Sequence, residues 1–313
     1  MRIGIVGAGA VGSFFGALLQ QGGHQVSFLT RGKHLEAMQR QGLNIKREDE
    51  SFTIHSTFTN DPEQLANSEL ILFCVKSNDT EHMANKLLPI LQENAFVMTM
   101  QNGVDNEEIL KKIFGVERIL SCATYVQAVI EKPGIVKQQG RVALVIGELD
   151  QSVSQQCADI VACFHQASID AKHTGDIVGK KWRKFLWNIT FNPLSAISTA
   201  TVGDLLDDKP LRETAESICK EAMEVAINAG VSIDPARTME TIFKNAERAR
   251  VHQTSMLQDR LSGKQMEVES MCGYVVRKAN ELDIAVPTVQ ASYSILTFMN
   301  KQQSLDGGRL VTK

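Results

Sequence analysis

The sequence predicts an α/β half followed by an all-helical half, and three features carry that order. A short Ile- and Val-rich run, Arg2 to Val6, leads directly into Gly7-Ala8-Gly9-Ala10-Val11-Gly12. Apolar runs of strand length then alternate with helical patterns as far as His173. Past Gly175 nearly every stretch has helical periodicity, as expected of a separate helical domain.

The 313 residues exceed an ordinary single domain, and the boundary is expected near Gly175, giving 1–175 and 176–313. A hydrophobic fraction of 43% against 22% charged residues supports folded cores rather than disorder. The net charge of −3 provides no basic field for a phosphate backbone, so nucleic acid is not an expected partner. Six scattered cysteines, without a Cys-x-x-Cys pair or histidines at finger spacing, argue against a disulfide scaffold and against a structural metal. No run reaches the roughly 18 apolar residues that cross a bilayer, and no charged leader precedes the first strand. A cytoplasmic protein is the expectation.

Taken in order, Arg2 to Val6 suits a strand buried on both faces, and Ser13 to Gln21 a helix. Between them, Gly7 permits a tight turn, Gly9 lets backbone approach a pyrophosphate, and Gly12 lets helix pack on strand. With the free N–H groups of the helix start, Gly7, Ala8, Gly9, Ala10, Val11 and Gly12 form a Rossmann-type dinucleotide-binding turn. A tight turn that holds nothing is the competing reading.

The strand Gln25 to Leu29 ends in Thr30-Arg31-Gly32-Lys33-His34. An NAD-selective site places a carboxylate here for the ribose 2′-hydroxyl; Arg31 and Lys33 instead favour the 2′-phosphate of NADP, unless Arg31 is only a solvated loop residue. Leu43 to Thr59 alternates like an inserted hairpin, and Glu69 to Val75 is a further strand with Lys76 at its carboxyl end, where phosphate or carboxylate is held in open α/β sheets, unless Lys76 is an ordinary surface lysine. Asp79 to Leu91 suits a helix, and Ala95 to Met100 a strand ending in Gln101-Asn102-Gly103. Asn102 can donate and accept, so it suits contact with ribose or substrate; an ordinary Asn-Gly turn is the alternative. Arg118 to Glu148 is β-rich, with turns expected at Lys132-Pro133-Gly134 and Gln139-Gly140, followed by a helix at Gln151 to Gln166 and a strand at Ile169 to His173.

In the second half, Lys181 to Ser195 sets Lys184, Asn188 and Asn192 at four-residue steps among Phe185, Leu186, Trp187, Ile189, Phe191 and Leu194. Steps of four turn a helix by about 400°, so the three polar groups form one stripe with apolar flanks. Enclosed polar groups need partners, since burying one alone costs roughly 2–7 kcal/mol. A polar ligand would serve; a lysine reaching solvent and two bracing asparagines would also explain the stripe. Further helices are expected at Leu211 to Asn228, Pro235 to Ala249, Glu267 to Glu281 and Pro287 to Lys301, with Ser255 and Asp259 suited to a helix start or turn. Apolar positions on these helices suit a core or a dimer surface, and a homodimer is the expectation.

Gly7-x-Gly9-x-x-Gly12, Lys184-x3-Asn188-x3-Asn192-Pro193-Leu194, and Ser255-Met256-Leu257-Gln258-Asp259 with Glu267 together resemble the ketopantoate reductase (2-dehydropantoate 2-reductase) family across nearly the whole chain. The resemblance implies reduction of ketopantoate, a small 2-oxo acid, by NADPH on the route to pantothenate. It implies Lys184 as general acid, Glu267 as its acidic partner, and Ser255, Asn188, Asn192 and Asn102 as substrate ligands. Arg31, Lys76 and Asn102 would serve the cofactor. His252, three residues before the serine, and Val202 stand where members of the family often carry asparagine. A reductase of another oxo or hydroxy acid, or a binding module that senses NADPH without turnover, would share the first motif. The polar stripe argues against the second of these.

Overall fold

The computed structural model describes residues 1–310. Two compact units emerge, Met1–Lys180 and Lys181–Lys313. In the first, the strands are β1 (Arg2–Val6), β2 (Gln25–Leu29), β3 (Leu43–Lys46), β4 (Ser51–Ile54), β5 (Thr57–Thr59), β6 (Leu70–Phe73), β7 (Phe96–Thr99), β8 (Ile119–Lys132), β9 (Ile135–Glu148) and β10 (Ala171–His173). They form one sheet in the order β4-β3-β9-β8-β7-β6-β1-β2-β5, with β10 beside β9. The run from β8 through β7, β6, β1 and β2 to β5 is parallel, and only the β8–β9 and β3–β4 pairs are antiparallel.

Every residue of β6 and four of the five in β1 are buried, as strands covered on both faces must be. The covering helices of this unit are α1 (Ala10–Gln21), α2 (Gly32–Gln41), α3 (Thr80–Leu87), α4 (Asn106–Phe114) and α5 (Gln155–Gln166). One core gathers Phe14, Phe15 and Leu19 of α1 with Ile3, Ile5 and Phe28 of the sheet. Another gathers Ala84 and Leu87 of α3 and Leu110 and Phe114 of α4 with Val6, Ile71 and Phe73. This is an α/β dinucleotide-fold sheet, and the strands of the run from β8 to β5 all direct their carboxyl ends to the same edge, whereas β3, β9 and β10 run the opposite way.

Several local expectations change. Leu43 to Thr59 is not one hairpin: β3 and β4 pair as one, but Thr57–Thr59 leaves it to join β2 in parallel. Burial decides this, because Phe58 packs its ring 5.3 Å from that of Phe28. Gln139-Gly140 is not a turn either; it lies inside β9, where the register with β8 shifts and Gly140 takes φ +69°. The single turn of that hairpin is at Pro133-Gly134. The expected strand Glu69 to Val75 narrows to Leu70–Phe73, and the helix from Asp79 begins at Thr80 after a short 3₁₀ turn, Ser77–Asp79. The helices α2 and α4 have no counterpart among the sequence expectations.

The second unit is helical, with α6 (Ile177–Ser198) entering from the first, then α7 (Val202–Asp207), α8 (Lys209–Asn228), α9 (Pro235–Arg248), α10 (Ser255–Leu261), α11 (Tyr274–Glu281) and α12 (Pro287–Leu310). Aspartates cap α8 and α9: Asp208 accepts from Leu211 N–H, and Asp234 from Arg237 N–H, each followed within two residues by a proline that needs no donor partner. Trp182 and Phe185 of α6 form an aromatic cluster with Tyr274 of α11, with centroids 5.5 to 6.2 Å apart. The carboxyl end of α6 is closed by Arg260 of α10, which donates to the carbonyls of Ala196 and Ile197 and to Thr199 Oγ1.

Candidate active site

The glycine-rich turn follows from local geometry. Gly7 takes φ +90°, and a Cβ there would lie 2.7 Å from Val75 N; a Cβ on Gly12 would lie 2.6 Å from the Gly7 carbonyl oxygen. These two glycines are demanded by the protein itself. Gly9 differs, since a Cβ there would meet no atom within 4 Å, so the space beside it is open. The helix also starts earlier than expected, with Gly9 as N-cap and Ala10 as its first residue. Ala10 and Val11 therefore belong to the first turn of α1, whose N–H groups lack intrahelical acceptors. An open cradle at Gly9 beside free N–H donors fits the pyrophosphate of a dinucleotide.

Arg31 stands at the N-cap position of α2 with no capping bond from its side chain, and is exposed, its guanidinium 3.5 Å from the Asp79 carboxylate. Lys76, also exposed, lies just past the end of β6, and half-buried Asn102 just past β7. Sequence reasoning missed what fixes those two strand ends. Buried Gln101 donates to Val75 O at 2.9 Å and to Thr80 Oγ1 at 2.8 Å. Fully buried Asn106 accepts from Thr80 Oγ1 at 2.8 Å and donates to the Asn102 carbonyl at 2.9 Å and Ser77 Oγ at 3.3 Å. The signal was the set of polar residues, Gln101, Thr80 and Asn106, in the short stretches between each strand end and the first turn of the next helix. The network ties the loop carrying Lys76 to the loop carrying Asn102.

In the second unit the polar stripe is helical as expected, within the longer α6. Asn188 and Asn192 are buried at 9% and 2% exposure, and Lys184 is half-buried. Asn192 Nδ2 lies 3.4 Å from Ser255 Oγ, so these two predicted substrate ligands, 63 residues apart, do meet. Ser255 is not the cap of its helix: Thr254 accepts from Leu257 N–H, leaving the exposed Ser255 as first helical residue with its hydroxyl free of capping duty. Glu267 does not open a helix. It lies in irregular chain before a π-helical turn at Glu269–Gly273, and is half-buried. Glu269 instead opens the helical turn, and it accepts from Tyr293 and Arg277.

His252 packs its ring 5.7 Å from Trp187, and its carbonyl accepts from Val202 N–H at 3.1 Å. The two departures from the family pattern are thus neighbours. Burial pushes the imidazoles of His34 and His252 below the ordinary 6.5. Between the folded and unfolded pKa values the unfolded chain binds more protons, so their stabilising effect is full above pH 6.5 and is lost as pH falls below it. We expect the thermal midpoint to drop between about pH 7 and 5.5, and the drop to shrink in His252→Gln. A flat profile over that window would contradict neutral burial.

Among the described residues one group has metal-ligand chemistry: Glu148, Cys157 and His173, with donor atoms all within 4.8 Å. Its members already satisfy one another. Glu148 accepts from His173 Nε2 at 3.1 Å and from Ser154 N–H at 3.1 Å. Burial opposes the charge on Glu148, but these hydrogen bonds outweigh it and hold the carboxyl below its usual value. Burial, with the nearby Glu148 charge, pushes the Cys157 thiol up to about 12, so it stays protonated.

Comparison with known proteins agrees with this architecture. The ketopantoate reductase PanE/ApbA family model matches residues 3–151, and its C-terminal counterpart matches residues 176–300. The chain is 30% identical over 308 residues to the 2-dehydropantoate 2-reductase of Pyrococcus horikoshii, covering 98% of this chain and 99% of that one. It is 33% identical to the enzyme of the same name from Archaeoglobus fulgidus, covering 90% and 92%. A solved PanE/ApbA family ketopantoate reductase from Ralstonia eutropha superposes with a TM-score of 0.91 at 29% identity, over 97% of this chain and all of that one. With a glycine-rich turn on a mainly parallel sheet, a Lys-Asn-Asn helix and family models that match both halves, this chain belongs to the ketopantoate reductase PanE/ApbA family of oxidoreductases.

Proposed function

We propose that this protein reduces 2-dehydropantoate (ketopantoate) to pantoate with NADPH, the step that supplies pantothenate and hence coenzyme A. The reading is carried by the Lys184-Asn188-Asn192 stripe, buried along most of its length and hydrogen-bonded to Ser255, in a chain of this family. The turn from Gly7 to Gly12 would hold the pyrophosphate, and Arg31 the 2′-phosphate. Lys76 and Asn102 would hold the rest of the cofactor. Bound NADPH would supply the hydride.

The chain's own contribution is position, charge and a proton. Negative charge develops on the ketone oxygen, and the Lys184 ammonium would meet it as hydrogen-bond donor and then deliver its proton. Ser255 and Asn192 would take the substrate carboxylate and hydroxyl end, with Asn188 beside them, and Glu267 would orient the lysine. The role of Lys184 rests on its half-buried position on α6, in line with the buried Asn188 and Asn192.

NADPH oxidation with ketopantoate, set beside pyruvate and 2-oxoisovalerate, tests the proposal. Ketopantoate should be the fastest by a wide margin; no oxidation with any of the three would end the enzymatic reading. Arg31→Ala should weaken NADPH by about 10- to 100-fold, the size of a charge-assisted hydrogen bond, and NADH far less. Equal weakening of the two cofactors would show that Arg31 does not read the 2′-phosphate.

A further inference from the structure

We infer that His34, through Ser13, is a positioning residue that fixes the glycine-rich turn for dinucleotide binding, and that the β8–β9 turn at Gly134 sets its orientation. The inference rests on the dinucleotide reading above. It concerns a different set of residues.

The direction of each hydrogen bond follows from the others. Gly134 N–H can only donate, and it lies 3.0 Å from His34 Nδ1, so Nδ1 carries no proton. A neutral ring then carries its proton on Nε2, which lies 3.3 Å from Ser13 Oγ. Ser13 has one hydroxyl proton, donated to the Ala8 carbonyl at 2.9 Å, so its oxygen accepts from Nε2. The relay therefore runs from Gly134 N–H to His34, from His34 to Ser13, and from Ser13 to Ala8 C=O. Burial, which disfavours the charged imidazolium, agrees with the neutral ring.

The end of the relay is the turn itself. Ala8 N–H and Gly7 N–H both donate to Leu29 O, at 3.0 and 3.1 Å, and Gly9 N–H donates to Gly7 O at 2.7 Å. Because a peptide unit is planar, holding the Ala8 carbonyl also fixes the plane of the Gly9 N–H, beside the open cradle. Gly134, 100 residues from His34, is held in turn: its carbonyl accepts from Asn44 N–H at 2.9 Å, and a Cβ on it would sit 3.1 Å from Ala37 of α2. Ser13 is fully buried, so water cannot replace the missing partner if the relay is cut.

The test uses the full-length protein and NADPH as probe. Ser13→Ala removes the middle of the relay. His34→Asn places an acceptor near the Nδ1 position but has no donor for Ser13, and His34→Gln reaches the Nε2 position with a donor. Dissociation constants for NADPH should rise about 3- to 10-fold in Ser13→Ala and His34→Asn, the effect of one net hydrogen bond, and less in His34→Gln. The double variant Ser13→Ala/His34→Asn should be no worse than the worse single one, since both cut the same chain. At saturating NADPH, turnover and the KM for the oxo acid should match the unsubstituted protein. Unchanged NADPH affinity in folded Ser13→Ala and His34→Asn overturns the relay. So does a loss of turnover or a rise in oxo-acid KM at unchanged NADPH affinity, which a general structural defect would produce. If the unsubstituted protein binds neither NADPH nor NADH, the dinucleotide reading fails and the relay falls with it.

Discussion

Lys184→Ala should lower turnover by about 10²–10⁴, the usual range for loss of a general acid, with NADPH affinity nearly unchanged. The helix should survive the substitution, because Phe185, Leu186 and Ile189 keep its buried face and alanine is a stronger helix former than lysine. Lys184→Arg should rescue little, since a guanidinium keeps its proton at any working pH and presents a planar fork where a compact ammonium stood. Steady-state kinetics with ketopantoate and equilibrium binding of NADPH read the two quantities separately. Near-normal turnover in a folded Lys184→Ala protein would remove the lysine from the mechanism.

The second large effect separates two glycines of one motif. Gly12→Val should destabilise the first unit by about 1–3 kcal/mol, because overpacking against backbone cannot relax as it would against a flexible side chain. Its Cβ would meet the Gly7 carbonyl oxygen at 2.6 Å and Ile5 Cγ2 at 2.8 Å. Gly9→Ala meets nothing within 4 Å, so its thermal midpoint should stay within a few degrees of the unsubstituted protein. Its NADPH affinity should nevertheless fall by about 10-fold or more, equivalent to 1.4 kcal/mol, because the added methyl enters the space the pyrophosphate needs. Thermal melting paired with NADPH titration distinguishes the two. If Gly9→Ala bound NADPH normally, the open space beside Gly9 would not be the phosphate site.

Much of this was legible in the residues alone. The strand, glycine turn and helix at the N-terminus have the expected order because each residue's role there is local: burial for Ile3 and Ile5, a positive φ for Gly7 and close packing for Gly12. The stripe on α6 was equally legible, since four-residue spacing and apolar flanks are properties of one helix. Legibility ended where pairing is non-local. Thr57–Thr59 alternates like the hairpin before it, and only its partnership with β2 shows that it belongs elsewhere. Gln139-Gly140 has turn composition, yet the long register of β8 with β9 carries it through as a bulge.

Local chemistry settled the kind of fold, the glycine turn and the face on which Lys184, Asn188 and Asn192 lie, because periodicity and backbone sterics act over a few residues. Long-range packing chose the distant groups that complete them: Ser255 beside Asn192, Asn106 between the loops of Lys76 and Asn102, and Gly134 and His34 behind Ala8. Hydrogen bonds between residues tens of positions apart depend on how strands and helices stack. A buried polar group must find its partner wherever packing brings one.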